Sequence, residues 1–200
     1  FGAETLRRLE ALPGVRSASL VSAIPFGGTR GATGVEIEGR PRQPGDMLIV
    51  DQRHISPGYF QTMGISIVRG RGFTSADDDR AEPVVVINRA MAERYWPNEN
   101  PIDRRVRVPA GYDAGSWFRI VGIADNVRHI ALSREPVTEM YRPFAQTGIG
   151  VFSVAVKTTA ESASIAQSVR AAVQAVDRNM PVYDVRTMED RIAGSFAQTR

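Results

Sequence analysis

The 200-residue chain contains no cysteine. That excludes a disulfide, a thiolate nucleophile and a zinc–thiolate centre, and is compatible with an oxidising compartment without pointing to one. No apolar run approaches the roughly 18 residues that a membrane-spanning helix needs. The first ten residues lack the basic start and apolar core of a secretory signal, so the chain reads as an excised piece of something longer. Lysine is nearly missing as well. Lys157 is the one lysine among 25 basic residues, and the formal net charge is only +3. The arginines are scattered among acids, and the densest group is Arg104, Arg105 and Arg107. Strand alternation places Arg105 and Arg107 on one face and Val106 and Val108 on the other, which is the pattern of a solvated strand face and argues against nucleic-acid binding.

Catalytic and metal-binding patterns are also wanting. There is no Gly-x-Ser-x-Gly elbow, no His-Glu-x-x-His helix and no nucleotide-binding fingerprint. The two histidines, His54 and His129, are solitary in sequence and read as surface or capping residues. Asp51, Asp125, Glu139 and Asp184 could pair as an acid–base couple, but they fit solvent-facing strand positions equally well, and no spacing selects two of them. The run Asp77–Asp79 lacks the alternate spacing and glycine of a calcium loop. The glycine-rich stretch Pro25–Gly34, with Gly27, Gly28, Gly31 and Gly34, lacks the Gly-Lys-Ser/Thr ending of a phosphate loop and reads as a flexible connection. The sequence supports no enzyme, no cofactor and no metal centre. A cavity holding a histidine beside a carboxylate would revise that reading.

What the chain does contain is a start–stop unit at its centre, His54–Phe73. Ser56 suits a helix N-cap and Pro57 the first helical position. Tyr59, Phe60 and Met63 supply one apolar face, and Gly64 can take the left-handed conformation that closes a helix. Ile65, Ile67, Arg69 and Arg71 then alternate with Ser66, Val68, Gly70 and Gly72, as in a strand running out into a turn. Upstream, residues 4–12 form an amphipathic helix closed by Pro13–Gly14, followed by strands over Val15–Ile24, Val35–Glu38 and Met47–His54. Downstream come an acidic turn at Ser75–Asp79 capped by Thr74, a buried-type strand at Pro83–Ile87, and a helix capped by Asn88 and stopped by Pro97. Strands follow at Val106–Val108, Phe118–Ala124 and Pro136–Phe144, with the loop Pro109–Ser116 joining the first two. The last part reads as a strand from Phe152, a long helix over Ala160–Val176, a strand at Val182–Arg186 and a helix Met188–Gln198 capped by Thr187. Helix, proline turn and strand therefore occur at both ends. This weak repeat predicts that the ends share one α/β layer with the middle inserted between them.

Four stretches carry a family resemblance: S-P-G-Y-F-Q-T-M-G-I-S-I-V-R-G-R-G-F, Pro83–Trp96, Phe118–Arg128 and Glu139–Gln146. In this order they resemble the MacB-like periplasmic core domain of FtsX-like ABC-transporter permeases, closest to the acidobacterial duplicated orphan permeases. The fold expected is α+β in two subdomains. Residues 1–62 and 147–187 would be a porter-like layer, 63–146 an inserted small α/β-rich, mostly β, extracytoplasmic subdomain, and 188–200 a helix leading toward the membrane. The resemblance also implies a strand ahead of the first helix. It implies a non-catalytic domain on the periplasmic face of the bacterial inner membrane, a soluble fragment of an integral membrane protein that transmits conformational change or gates substrate. Implied partners are the transmembrane helices of its own longer chain, a cytoplasmic ATP-binding subunit or domain, and a second copy or an adaptor protein. The alternative is a ligand-binding sensor domain of a membrane receptor, which would show a pocket lined by convergent polar and aromatic groups.

Overall fold

A computed structural model describes residues 1–28, 31–40, 48–109, 114–129, 135–148, 150, 152–159 and 162–197. Its helices and strands, in chain order, are α1 (Gly2–Glu10), β1 (Val15–Val21), β2 (Ala32–Ile37), β3 (Leu48–Ile55), α2 (Tyr59–Met63), β4 (Ile67–Gly70), β5 (Val84–Asn88), α3 (Arg89–Tyr95), β6 (Arg105–Arg107), β7 (Trp117–Ala124), β8 (Glu139–Pro143), β9 (Ser153–Thr158), α4 (Ser162–Gln174) and α5 (Met188–Ala197). The mixed helix–strand class expected from the sequence is the one found. No helix among the described residues is long and apolar enough to cross a membrane.

The strands join one sheet in the order β2-β6-β7-β5-β8-β3-β1-β9, with β4 paired to β7. β2 also pairs with β3, so six strands, β2-β6-β7-β5-β8-β3, return on themselves as a closed ring. Opposite sides of β3 serve its two ring neighbours: Asp51 N–H donates to Thr138 O at 2.9 Å, and Gln52 N–H to Gly31 O at 2.7 Å. Closure removes the open edges that a strand-rich unit would otherwise present.

Strand periodicity explains how the ring is filled. Val85 and Ile87 of β5 turn to one side and join Phe118, Ile120 and Met140 in a first apolar cluster, which α3 enters with Met91, Tyr95 and Trp96. Val84 and Val86 turn the other way and join Tyr141, Ile55, Val21 and the α2 residues Tyr59 and Phe60 in a second. β5 is therefore buried on both faces, as its unbroken apolar run suggests. Asn88 caps α3 as expected, its Oδ1 accepting from Met91 N–H at 2.9 Å. Arg105 and Arg107 do lie on the outer face, Arg107 pairing with Glu36 of β2 and Arg105 with Glu38 just beyond it. The guanidinium of Arg107 also stacks 4.9 Å from the Trp117 ring.

Two expectations need correction. Ser56 does not cap α2, whose N-cap is Gly58; the Ser56 hydroxyl instead accepts Leu20 N–H at 2.9 Å. Val182–Arg186 is not a strand, and Tyr183 is 75% exposed. Asp184 there takes φ +54°, an uncommon left-handed conformation for a residue with a Cβ. Two guanidiniums, Arg186 at 2.6 Å and Arg191 at 2.8 Å, hold its carboxylate. The Asp77–Asp79 run serves its own loop. Asp77 receives Arg71 at 2.8 and 2.9 Å and Thr74 N–H at 2.8 Å, and Asp78 accepts the N–H groups of Arg80 and Ala81. Within the glycine-rich connection, Gly34 already lies in β2. Residues 29–30, 41–47, 110–113, 160–161 and 198 of the expected loops and helix ends lie outside the described residues.

Tyr59 is fully buried and Phe60 is 5% exposed. Phe60 meets Tyr141 edge-on with ring centroids 5.0 Å apart. Phe60→Ala is expected to cost roughly 3–5 kcal/mol through lost burial and the cavity left behind, read from urea unfolding. An unchanged unfolding midpoint would contradict the core role.

Gly64 ends α2 at φ +69°, and a Cβ added there would meet nothing within 4 Å. The obstacle to a side chain is conformational, not steric crowding. Gly64→Val should lower stability by more than about 1 kcal/mol, and Gly64→Asn by clearly less, because asparagine tolerates the left-handed region. Equal losses for the two variants would contradict the assignment.

Candidate functional site

β8 and β3 run parallel, with Asp51 opposite Glu139 and Arg53 opposite Tyr141. Glu139, Tyr141 and Arg53 therefore project from one face of the sheet, the outer face of the ring beneath α2. Arg53 is 1% exposed and Glu139 not at all. Their charges meet directly, Arg53 Nε lying 2.5 Å from Glu139 Oε1. Glu139 Oε2 accepts the Tyr141 hydroxyl at 2.7 Å and faces His129 Nε2 at 2.7 Å. Arg53 also donates through Nη1 to Ala23 O at 3.1 Å. The backbone of Glu139 is fixed too, its N–H donating to Asn88 Oδ1 at 3.0 Å, while Asn88 Nδ2 donates to Val137 O at 2.7 Å.

The electrostatics follow from burial. The Tyr141 hydroxyl titrates well above its ordinary value, because it is desolvated and lies against the Glu139 carboxylate. Tyr59 is pushed up in the same way, desolvation first and the Glu139 charge second. Both phenols thus stay protonated near neutral pH; Tyr141 donates to Glu139, whereas the buried Tyr59 hydroxyl meets no acceptor among the described residues. The Glu139 carboxylate lies among a guanidinium, a phenol and an imidazole: Oε2 accepts from Tyr141, while Oε1 meets Arg53 as a charge contact, the Arg53 Nε–H donating to His129 Nε2 at 3.5 Å. The arrangement is suited to holding chain segments together.

This is where the sequence reading needed most revision. His129 is 8% exposed, not a surface residue, and it stands beside a carboxylate. Asp51, 2% exposed, and Glu139 are not solvent-facing, whereas Asp125 is half-buried and Asp184 exposed, the first paired with Arg89 and the second with Arg186 and Arg191. Of the four acids, Asp51 and Glu139 are brought side by side as register partners on β3 and β8, Glu139 joining Arg53, Tyr141 and His129, and Asp125 and Asp184 lie elsewhere. His54 is 8% exposed and its Nε2 lies 2.9 Å from Gln52 Nε2. Arg53 was not singled out by sequence reasoning. The signal was the alternation H-I-S-P preceded by V-D-Q-R, in which Arg53 shares the Ile55 face; a charge on the apolar face of a strand points to a buried partner.

An open groove of about 520 Å³ lies elsewhere, between β4 and α3, bordered by Val68, Arg69, Arg89, Trp96, Asn98 and Glu99. Its charges are of both signs, and Arg89 is engaged by Asp125 at 3.2 Å. The Arg53–Glu139–His129 cluster does not border it.

The MacB-like periplasmic core domain family matches residues 2–176. Among solved structures, the chain is similar to the periplasmic region of MacB from Actinobacillus actinomycetemcomitans, with a TM-score of 0.60 at 16% identity, over 88% of this chain and 74% of that one. It is also similar to the extracellular domain of the noncanonic ABC-type transporter YknZ from Gram-positive bacteria, with a TM-score of 0.62 at 18% identity, over 94% and 89%. A domain of a putative permease from Porphyromonas gingivalis gives 0.58 at 14% identity, over 92% and 85%. Comparison with curated protein sequences gives no match.

Arg53→Met should lower stability by about 3–5 kcal/mol, because Glu139 is left charged and buried without its partner. The paired change Arg53→Met with Glu139→Leu should recover most of that loss. Urea unfolding of the parent, Arg53→Met, Glu139→Leu and the double variant checks this, and additive losses in the double variant would show that the two charges are not coupled.

Proposed function

The chain belongs to the MacB-like periplasmic core domain family, and from that premise we propose that it is the extracytoplasmic domain of an ABC-type permease that relays conformational change across the membrane and is not itself catalytic. The observation that carries this reading is the buried Arg53–Glu139 pair, joined by His129 and Tyr141. It ties residues before 62 to residues after 63 through contacts that resist separation, as a relay element requires. The nearest alternative, a sensor with a ligand pocket, has less support. The groove between β4 and α3 is open, and it is bordered by charges of both signs.

In the same reading the domain sits outside the cytoplasm, held by transmembrane helices of a longer chain, and works with a cytoplasmic ATP-binding subunit or domain and with a second copy or an adaptor. We also propose that it works as two units. The chain ends supply one: β1 pairs with β9, and α1 packs on β1 and on α4. The middle, 63–146, supplies the other, to which β2 and β3 are bonded through the ring.

The test uses the complete permease reconstituted with its ATP-binding partner in vesicles. Replacing residues 2–176 by a flexible Gly–Ser linker is expected to leave ATP hydrolysis measurable while abolishing ATP-dependent transport of a panel of amphiphilic dyes and peptides that the parent moves. Transport at the parental rate would overturn the relay reading. Saturable stabilisation of the 200-residue chain by one small molecule, abolished by a substitution in the groove, would favour the sensor instead.

A further inference from the structure

The ring and the layer formed by α1, β1, β9 and α4 meet where β1 crosses onto β3, at the single register pair Val21 opposite Ile55. An antiparallel pair of strands places Ser22 opposite His54 and Leu20 opposite Ser56, and each such pair ordinarily exchanges two backbone bonds. Here each exchanges one. Ser22 N–H donates to His54 O at 2.9 Å, but His54 N–H donates to the Ser22 hydroxyl at 3.0 Å. Ser56 N–H donates to Leu20 O at 3.0 Å, but Leu20 N–H donates to the Ser56 hydroxyl at 2.9 Å. Two serine side chains thus stand in for two backbone carbonyls, symmetrically about the crossing.

We propose that Ser22 and Ser56 form a hinge that lets the α1–β1–β9–α4 layer swing against the ring while its amides stay bonded. A carbonyl acceptor is fixed to its strand, whereas a serine Oγ turns about χ1 and can follow a donor as the strands splay. A second observation agrees. The β1 face that α2 covers carries Ser17 and Ser19, and α2 adds Thr62; all three hydroxyls are buried with no hydrogen-bond partner among the described residues. Such a seam gains little from staying closed. On the ring side α2 is held by aromatic packing, Phe60 against Tyr141 and Phe73 at 5.0 and 6.3 Å. α2 also packs on β1 and β9 of the layer, so a swing of the layer slides it over α2 along that hydroxyl-lined seam. The hinge deepens the relay reading and rests on it for its purpose, but the motion is a property of this chain alone.

The absence of cysteine allows clean labelling. Spin labels at Gln167→Cys on α4 and Glu93→Cys on α3, both exposed, report the distance between layer and ring by electron–electron double resonance. The parent chain is expected to give a broad or two-peaked distribution, wider still in the Ser22→Ala/Ser56→Ala chain. Amide exchange at Leu20 and His54 should rise about tenfold in that variant, with β5 and β7 unchanged, and Ser22→Thr/Ser56→Thr should restore protection. A single narrow distance in the parent overturns the hinge, even if the alanine variant fails to fold. Exchange rising equally in β5 and β7 overturns it too, since the serines would then serve global stability only. A hinge found in this chain alongside undisturbed transport by a permease lacking residues 2–176 would retain the motion and remove its proposed use.

Discussion

The fold depends on a carboxylate that has nowhere else to go. Glu139 is fully buried, and an ion of that kind taken out of water costs several kcal/mol unless partners replace the lost hydration. Arg53, Tyr141 and His129 are those partners, and they come from β3, from β8 itself and from the connection after β7. Each is correctly placed only if β3 lies parallel to β8 in the observed register. A shift of one residue would turn Arg53 toward the opposite face and leave two buried charges unpaired. The ion pair therefore selects one register among those that apolar packing alone would tolerate. Apolar clusters on both faces supply most of the favourable free energy; the polar cluster supplies the discrimination.

The same register closes the ring. With Asp51 opposite Glu139 on one side, β3 offers its first half to β2 on the other, Ala32 facing Asp51 and Val35 facing Leu48. β2 in turn reaches β6, where Glu36 and Glu38 meet Arg107 and Arg105. These exposed and half-buried pairs are worth little individually, yet they are matched strand to strand and oppose slippage on the outer face. Asn88 adds a junction of another kind, since one side chain caps α3 and also pins the backbone at Glu139 and Val137. Strand β5, helix α3 and strand β8 are in this way fixed to one another by a single amide group.

Much of this was legible in sequence. Local signals that act within a few residues were dependable: the Asn88 cap, the Thr187 cap, whose hydroxyl accepts Asp190 N–H at 3.0 Å, the left-handed Gly64, and the alternation of Arg105 and Arg107 against Val106 and Val108. Signals that depend on a distant partner were not. Ser56 followed by Pro57 has the composition of a cap, but its hydroxyl was taken by Leu20, 36 residues away. V-Y-D-V-R has the composition of a strand, but β pairing needs a neighbour, and Asp184 turns left-handed under two arginines instead. Glu139 and His129 looked solvent-facing because nothing nearby in sequence announces Arg53. Ring closure was equally invisible, being a property of pairings and not of any strand.

A relay of the proposed kind would have to be stiff in one place and yielding in another, since a body that deforms everywhere dissipates displacement and one that deforms nowhere cannot receive it. Here the two properties have different chemical origins. Stiffness comes from groups whose alternatives are costly: a buried ion pair, a closed ladder of strands, aromatic rings interlocked under α2. Compliance comes from groups whose alternatives are nearly equal: hydroxyls that can rotate with a donor, or that have no bond to lose. The sequence places both in one short stretch. Arg53 and Ser56 are three residues apart on β3 and its exit, one locking the strand to the ring and the other tethering it to β1. A displacement arriving through α1 or α4 would therefore reach the ring across Ser22 and Ser56 and be met close by, at Arg53, by a contact that does not give.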